Sequence, residues 1–173
     1  DDIPARFSVT HDGVCLLRMG SVKQGGAGCY CAESAFLKGL VSHLVLSEQD
    51  VMILDMEAGL EHLTRGTACG VDWLIAVAEP SRQSVATVRR IEGLARDIGL
   101  HRLGVVGNKV RDEQMKQYLA DAVAPLPLLG TVPYDEELSR AEFEGRAPDL
   151  SRPELNRQIA GIMEALSQGD PKT

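Results

Sequence analysis

The feature that most limits this chain is a regular alternation of short apolar runs with amphipathic stretches. The runs "VMILDM" (51–56), "DWLIAVAEP" (72–80), "RLGVVGNK" (102–109) and "LPLLGTVPYD" (126–135) are continuously apolar through their centres. A strand of that kind is buried on both faces, as in a parallel sheet. An earlier run, "GVCLLRMG" (13–20), reads as a further strand. Between the runs, apolar residues recur at helical spacing. Residues 33–46 place Phe36, Leu37, Leu40, Val41 and Leu44 on one stripe. Residues 84–99 do the same with Val85, Val88, Ile91, Leu94 and Ile98, and Gly99 stands where a helix would end. Asp112 is suited to cap 112–123, whose Met115, Leu119, Ala122 and Val123 face inward. The last helix opens with Ser151-Arg152-Pro153-Glu154, a capping-box spacing with Pro153 in the first turn, and runs on through Leu166. No repeat, low-complexity segment or internal linker interrupts the pattern. The expected fold is α/β: one domain over 1–173, with a doubly wound, mostly parallel sheet and helices on both faces.

A chain of 173 residues with 44% apolar and only 4% aromatic content suits a single core of Val, Ile, Leu and Ala. Its net charge of −7 argues against nonspecific binding to nucleic acid or acidic membranes. No apolar run approaches the ~18 residues of a membrane span. No secretory signal is visible, so a cytoplasmic, reducing setting is expected. The opening "DDIPARF" lacks an initiator Met and points to a fragment.

In a reducing compartment, metal or catalytic roles for cysteine outrank disulfides. Cys15 and Cys69 lie in apolar surroundings and read as small buried hydrophobes. Cys29 and Cys31, in "GAGCYCAES", allow three readings: a strained disulfide, two buried thiols, or half of a metal site. One Cys-x-Cys supplies two of the four thiolates that Zn²⁺ usually takes. A second copy across a two-fold axis would complete the set, and Ni²⁺ could take the same donors in square-planar form. Cys31 stands just before a helix start, whose dipole favours thiolate. His43 and His62 could be recruited as further ligands, but a packed or surface imidazole for His43 and a solvated loop histidine for His62 are the stronger readings.

Ligands of doubly wound sheets bind beyond the carboxyl ends of the strands. Asp55 is delivered there by four apolar residues, the pattern of a Walker B carboxylate that orients Mg²⁺ beside nucleotide phosphates. Many strands end in Asp as a plain helix cap, but Glu57-Ala58-Gly59 strengthens the reading. Gly59 would let the backbone approach a γ-phosphate and move when it leaves. Asn108 could present a carboxamide to a purine edge while the Lys109 stem packs over the base; a polar turn is the alternative. Pro133 and Tyr134 could flank a base, with Asp135 capping the next helix; an ordinary loop is the alternative. A Walker A loop needs Gly-Lys-Ser/Thr. The lysines are Lys23, Lys38, Lys109, Lys116 and Lys172, and none follows a glycine. The glycine-rich "GSVKQGGAG" reads as a flexible connection instead.

Taken together, "GGAGCYCAES", "ILDMEAGLEHLTRGTA", "VVGNKV" and "PYDEEL" resemble the CooC-type nickel-insertion accessory ATPases of carbon monoxide dehydrogenase. These belong to the MinD/ParA-like deviant Walker group of P-loop NTPases. The resemblance runs along nearly the whole chain and implies the carboxy-terminal two-thirds of such a protein, without its first strand and P-loop. It implies that Asp55 is the Walker B aspartate and Gly59 the phosphate-sensing glycine, the two catalytic positions. It places Asn108 and Lys109 at the base-recognition strand end and Pro133 and Tyr134 in the adenine-side loop. Cys29 and Cys31 match the family's metal-binding pair, for Zn²⁺ or Ni²⁺ shared across a homodimer. ATP or ADP with Mg²⁺ would be the cofactors of the intact family, and carbon monoxide dehydrogenase the client. Without Walker A the chain lacks the usual phosphate grip, so it is expected to be inactive alone and to bind nucleotide weakly or not at all. Two rival readings are a MinD/ParA-type positioning or regulatory ATPase, which needs no cysteine pair, and a non-catalytic binding module.

Overall fold

The computed structural model describes residues 8–18, 39, 50–56 and 71–168. The chain divides into two compact units, Asp1–Gln49 and Asp50–Thr173.

In the first unit, strands β1 (Ser8–His11) and β2 (Val14–Leu17) form an antiparallel hairpin, with Thr10 opposite Cys15. The connecting residues Asp12 and Gly13 both have positive φ, 47° and 80°. A two-residue turn of that kind matches the twist of the flanking strands, and Asp-Gly is a preferred pair for it. The strand expected over 13–20 is present at Val14–Leu17, as one arm of a hairpin. Burial of Cys15 is corrected: it is an exposed free thiol and not a core residue. A run of apolar residues is buried only where a second layer covers it, and Val9, Val14 and Leu16 of this ribbon are all well exposed. Gly39 is helical; the rest of the segment 33–46 lies outside the described residues.

The second unit is built on three parallel strands in the order β3 (Leu74–Ala78), β4 (Leu103–Val110) and β5 (Leu128–Pro133). Helix α1 (Arg82–Asp97) joins β3 to β4, and α2 (Glu113–Val123) joins β4 to β5. Helices α3 (Glu136–Glu144) and α4 (Pro153–Gln168) follow. The parallel α/β architecture is as expected. Ser81 caps α1 by accepting from Ser84 N, and Asp112 caps α2 by accepting from Met115 N at 2.7 Å. Gly99, at φ 75°, closes α1 in the left-handed conformation its position suggested.

The core lies between the sheet and helices α1 and α2. Leu74, Ala76 and Ala78 of β3 and Leu103 and Val105 of β4 pack with Val88, Ala95, Leu119 and Val123 of the two helices. Val88, Val105, Leu119 and Val123 are fully buried. Each such side chain contributes about 1.5–3 kcal/mol relative to exposure. A bulge in β5 sets the opposite face: Val105 pairs with Leu128, but Val106 pairs with Gly130. The extra residue, Leu129, turns Gly130 towards α4. There a Cβ would lie 2.6 Å from Ile162 Cγ1, so only glycine lets α4 approach this closely.

Two expectations need correction. Residues 51–56 carry no strand, and Val51 and Ile53 are 65% and 82% exposed. Their composition suits a strand buried on both faces, but such burial is a property of neighbouring layers and not of the segment. Ser151 does not cap the last helix: its N–H and hydroxyl both donate to Asp149 Oδ1, at 2.9 and 2.6 Å. The first helical bond instead runs from Asn156 N to Arg152 O, so the helix opens one residue later, with Pro153 at its first position. No helix among the described residues is long and apolar enough to cross a membrane.

Candidate functional site

The carboxyl ends of β3, β4 and β5 bring together residues the sequence separates by more than fifty positions. β3 ends at Ala78 and delivers Glu79, whose backbone N–H donates to Ser84 Oγ at 3.0 Å. Ser84 N in turn donates to Ser81 Oγ at 3.2 Å, so the β3–α1 junction is tied by two serines. An open cavity of about 390 Å³ lies here, lined by Val77, Glu79, Ser81, Gln83, Ser84 and Asn108.

Asn108 and Lys109 occupy the last turn of β4. Gly107 pairs with Thr131 and Val110 with Pro133, so Asn108 and Lys109 together oppose the single residue Val132. This is a second bulge, and bulges next to sites re-aim side chains. Lys109 adopts φ 56°, a conformation that L-residues other than Asn and Asp seldom visit. Asn108 Oδ1 accepts the Lys109 backbone N–H at 3.0 Å. The Lys109 ammonium reaches across to Glu79 Oε1 at 2.7 Å. The hydrogen bond to Glu79, reinforced by that carboxylate's charge, holds the Lys109 amine above the usual lysine range.

On the far side of β4, Tyr134 N donates to Val110 O at 3.1 Å, which docks the residues after β5 against the β4 end. The Arg111 guanidinium lies 4.0 Å from the centre of the Tyr134 ring, in cation–π geometry. Tyr134 remains 38% exposed, so part of the ring is open to a ligand. Asp135 caps α3 by accepting from Glu137 N at 2.9 Å and Leu138 N at 3.0 Å. Arg152, from the segment before α4, donates to the same carboxylate at 2.8 Å and forms an ion pair with it. Asp135 is thus a structural residue that fixes the loop carrying Pro133 and Tyr134.

Of the residues singled out from sequence, Asn108 and Lys109 share one strand end, and Pro133 and Tyr134 stand beside it on the neighbouring strand. Asp55 is exposed, and Met56 after it packs against the core. Gly59, Cys29 and Cys31 lie outside the described residues. Among the described residues no group of three or more His, Cys, Asp or Glu is placed to hold a metal ion. Sequence reasoning passed over Glu79 and Arg111. The signal for Glu79 was present in "IAVAEPS", where an apolar strand runs straight into a carboxylate.

A parallel sheet flanked by helices, whose strand ends gather a carboxamide, an ion pair and an open aromatic ring, defines a doubly wound α/β protein with its ligand edge at the carboxyl ends of the strands. The family model for the CobQ/CobB/MinD/ParA nucleotide binding domain matches residues 22–148, and the chain belongs to that family. It is 42% identical over 153 residues to the uncharacterized ATP-binding protein MJ0823 of Methanocaldococcus jannaschii, covering 87% of this chain and 59% of that one. It is 38% identical over 167 residues to the carbon monoxide dehydrogenase accessory protein CooC of Rhodospirillum rubrum, covering 96% and 63%. Among solved structures, the MinD cell division protein of Aquifex aeolicus matches with a TM-score of 0.49 and 16% identity, over 68% of this chain and 51% of that one. The chain spans about three fifths of the length of these curated relatives.

Proposed function

We propose that this chain is the greater part of an ATP-binding accessory protein that serves nickel insertion into carbon monoxide dehydrogenase. The observation that carries the nucleotide half is the gathering of Asn108, Pro133 and Tyr134 at the carboxyl edge of a parallel sheet, where such folds take their ligands. The similarity to CooC along 96% of the chain supports the client half. In this reading Asn108 reads the purine edge, and Pro133 and Tyr134 border the base. Asp55 holds the Mg²⁺ shell and Gly59 reports the γ-phosphate. Cys29 and Cys31 supply two thiolates, and the same pair of a second chain completes four donors across a two-fold axis. In the whole protein, ATP binding favours the closed dimer and hydrolysis opens it.

The test is metal analysis and native mass of the whole protein beside Cys29→Ser/Cys31→Ser, with Mg-ATP binding measured on both and on Asn108→Ala. The expected wild type is a dimer with about one thiolate-bound metal per two chains, as a four-donor site requires. The double variant should lose the metal and the dimer while keeping its nucleotide affinity. A wild type that binds no metal, with a mass the substitutions leave unchanged, overturns the shared site. Mg-ATP affinity of the whole protein that Asn108→Ala leaves unchanged overturns the nucleotide half.

A further inference from the structure

We infer that Glu79 is a positioning residue for base recognition: through Lys109 it fixes which edge of the Asn108 carboxamide faces the purine. The inference rests on the nucleotide reading of this site and extends it to the choice between adenine and guanine. Three observations carry it. First, Asn108 and Lys109 form a bulge, with Lys109 held at φ 56°. A lysine keeps such a conformation only where its surroundings over-determine it. Second, two contacts do so: Asn108 Oδ1 takes the Lys109 N–H at 3.0 Å, and Glu79 takes the Lys109 ammonium at 2.7 Å. Glu79 is itself anchored, because its own N–H is bound to Ser84 Oγ. Third, Glu79 and Asn108 line the same open cavity.

The chemistry follows from the inventory of a carboxamide, which has one oxygen acceptor and one NH₂ donor. With the oxygen turned inward to Lys109 N–H, the NH₂ group is the edge left for a ligand. A donor there suits the N1 acceptor of adenine, whereas guanine carries a donor at N1. Releasing Lys109 from Glu79 frees the bulge to relax and the carboxamide to turn over, presenting the oxygen to guanine. Glu79 touches no base in this scheme; it acts only through Lys109.

The experiment compares the whole protein with its Glu79→Gln variant and with the reversed pair Glu79→Lys/Lys109→Glu. One readout is the ratio of Mg-ATP to Mg-GTP affinity; the other, taken without nucleotide, is hydrogen exchange at the Lys109 amide. In Glu79→Gln the ATP preference should fall about two- to fivefold, the range an exposed ion pair supports, and Lys109 amide protection should fall with it. The reversed pair should restore part of both. An ATP preference that Glu79→Gln leaves unchanged, or an equal loss of ATP and GTP affinity, overturns the role of Glu79 while leaving the nucleotide reading intact. Unchanged protection at Lys109 overturns it as well. A wild type that binds neither nucleotide overturns the nucleotide reading, and this assignment with it.

Discussion

Removing the Asp135 carboxylate tests how the loop beside the candidate base site is held. Its side chain is only 9% exposed, yet it serves two backbone N–H groups of α3 and the guanidinium of Arg152, which is 34% exposed. Loss of a side-chain cap costs about 1 kcal/mol. A hydrogen bond to a charged partner is worth about 1.5–3 kcal/mol, and the part-exposed Arg152 puts this one at the lower end. Asp135→Ala should therefore destabilise by roughly 2–3 kcal/mol. Asp135→Asn keeps one oxygen for the cap but replaces the oxygen paired with Arg152 by an NH₂ donor, so it should cost about 1 kcal/mol or somewhat more, still less than Asp135→Ala. Arg152→Met should cost a similar amount, because the carboxylate keeps its two N–H partners. Urea unfolding of the three variants, compared at constant slope, measures these differences. The Asn substitution and Arg152→Met should be less than additive in combination, since both act on one contact. If Asp135→Asn proves as damaging as Asp135→Ala, the cap contributes nothing and the reasoning fails. If Asp135→Ala costs under about 0.5 kcal/mol, the residue is an ordinary surface position and both roles are refuted.

A Cβ at Gly107 would lie 2.9 Å from Leu119 Cδ1 and 3.0 Å from Thr131 Cγ2, in a fully packed region. Gly107→Ala should cost about 1–3 kcal/mol in the same urea assay, and a variant as stable as the wild type would show that Leu119 yields freely. Acid stability offers another check. Glu137 is held below the ordinary carboxylate range chiefly by its hydrogen bond to Arg146, and Asp149 by bonds from Ser151. A carboxyl depressed in the folded state stabilises the fold above its unfolded pKa, and that stability disappears as pH falls through the folded one. The melting temperature should thus decline as pH drops below the usual range of about 4, and Arg146→Gln should flatten part of that decline. An acid limb identical in Arg146→Gln removes Arg146 as its source.

Periodicity in the sequence was enough to find the elements whose burial is local. The stripe of Val85, Val88, Ile91 and Leu94 names the face that α1 buries, and "VVG" names a central strand, because β4 is covered on both sides. Asp112 announces its helix by type and position alone. What failed was burial that depends on partners. Cys15 and Ile53 sit in runs as apolar as β4, yet both are exposed, since nothing in a run of apolar residues records whether a second layer lies over it. The hairpin has a local signal of its own: "DG" between two short β-prone runs favours a two-residue turn.

The candidate site divides along the same line. Asn108 and Tyr134 could be placed at strand ends by counting, because a parallel strand delivers its last residues to the ligand edge whatever the neighbours are. Which edge of the carboxamide faces outward could not be counted. That depends on a bulge opposite Val132, on a lysine at positive φ, and on a glutamate from another strand thirty residues earlier. No propensity favours lysine in that conformation, so composition gives no hint of it; only the contact with Glu79 and the bond to Asn108 explain why it is tolerated there. Chemistry-bearing residue types are thus readable from the chain, whereas their orientation at the strand ends is a product of tertiary contacts.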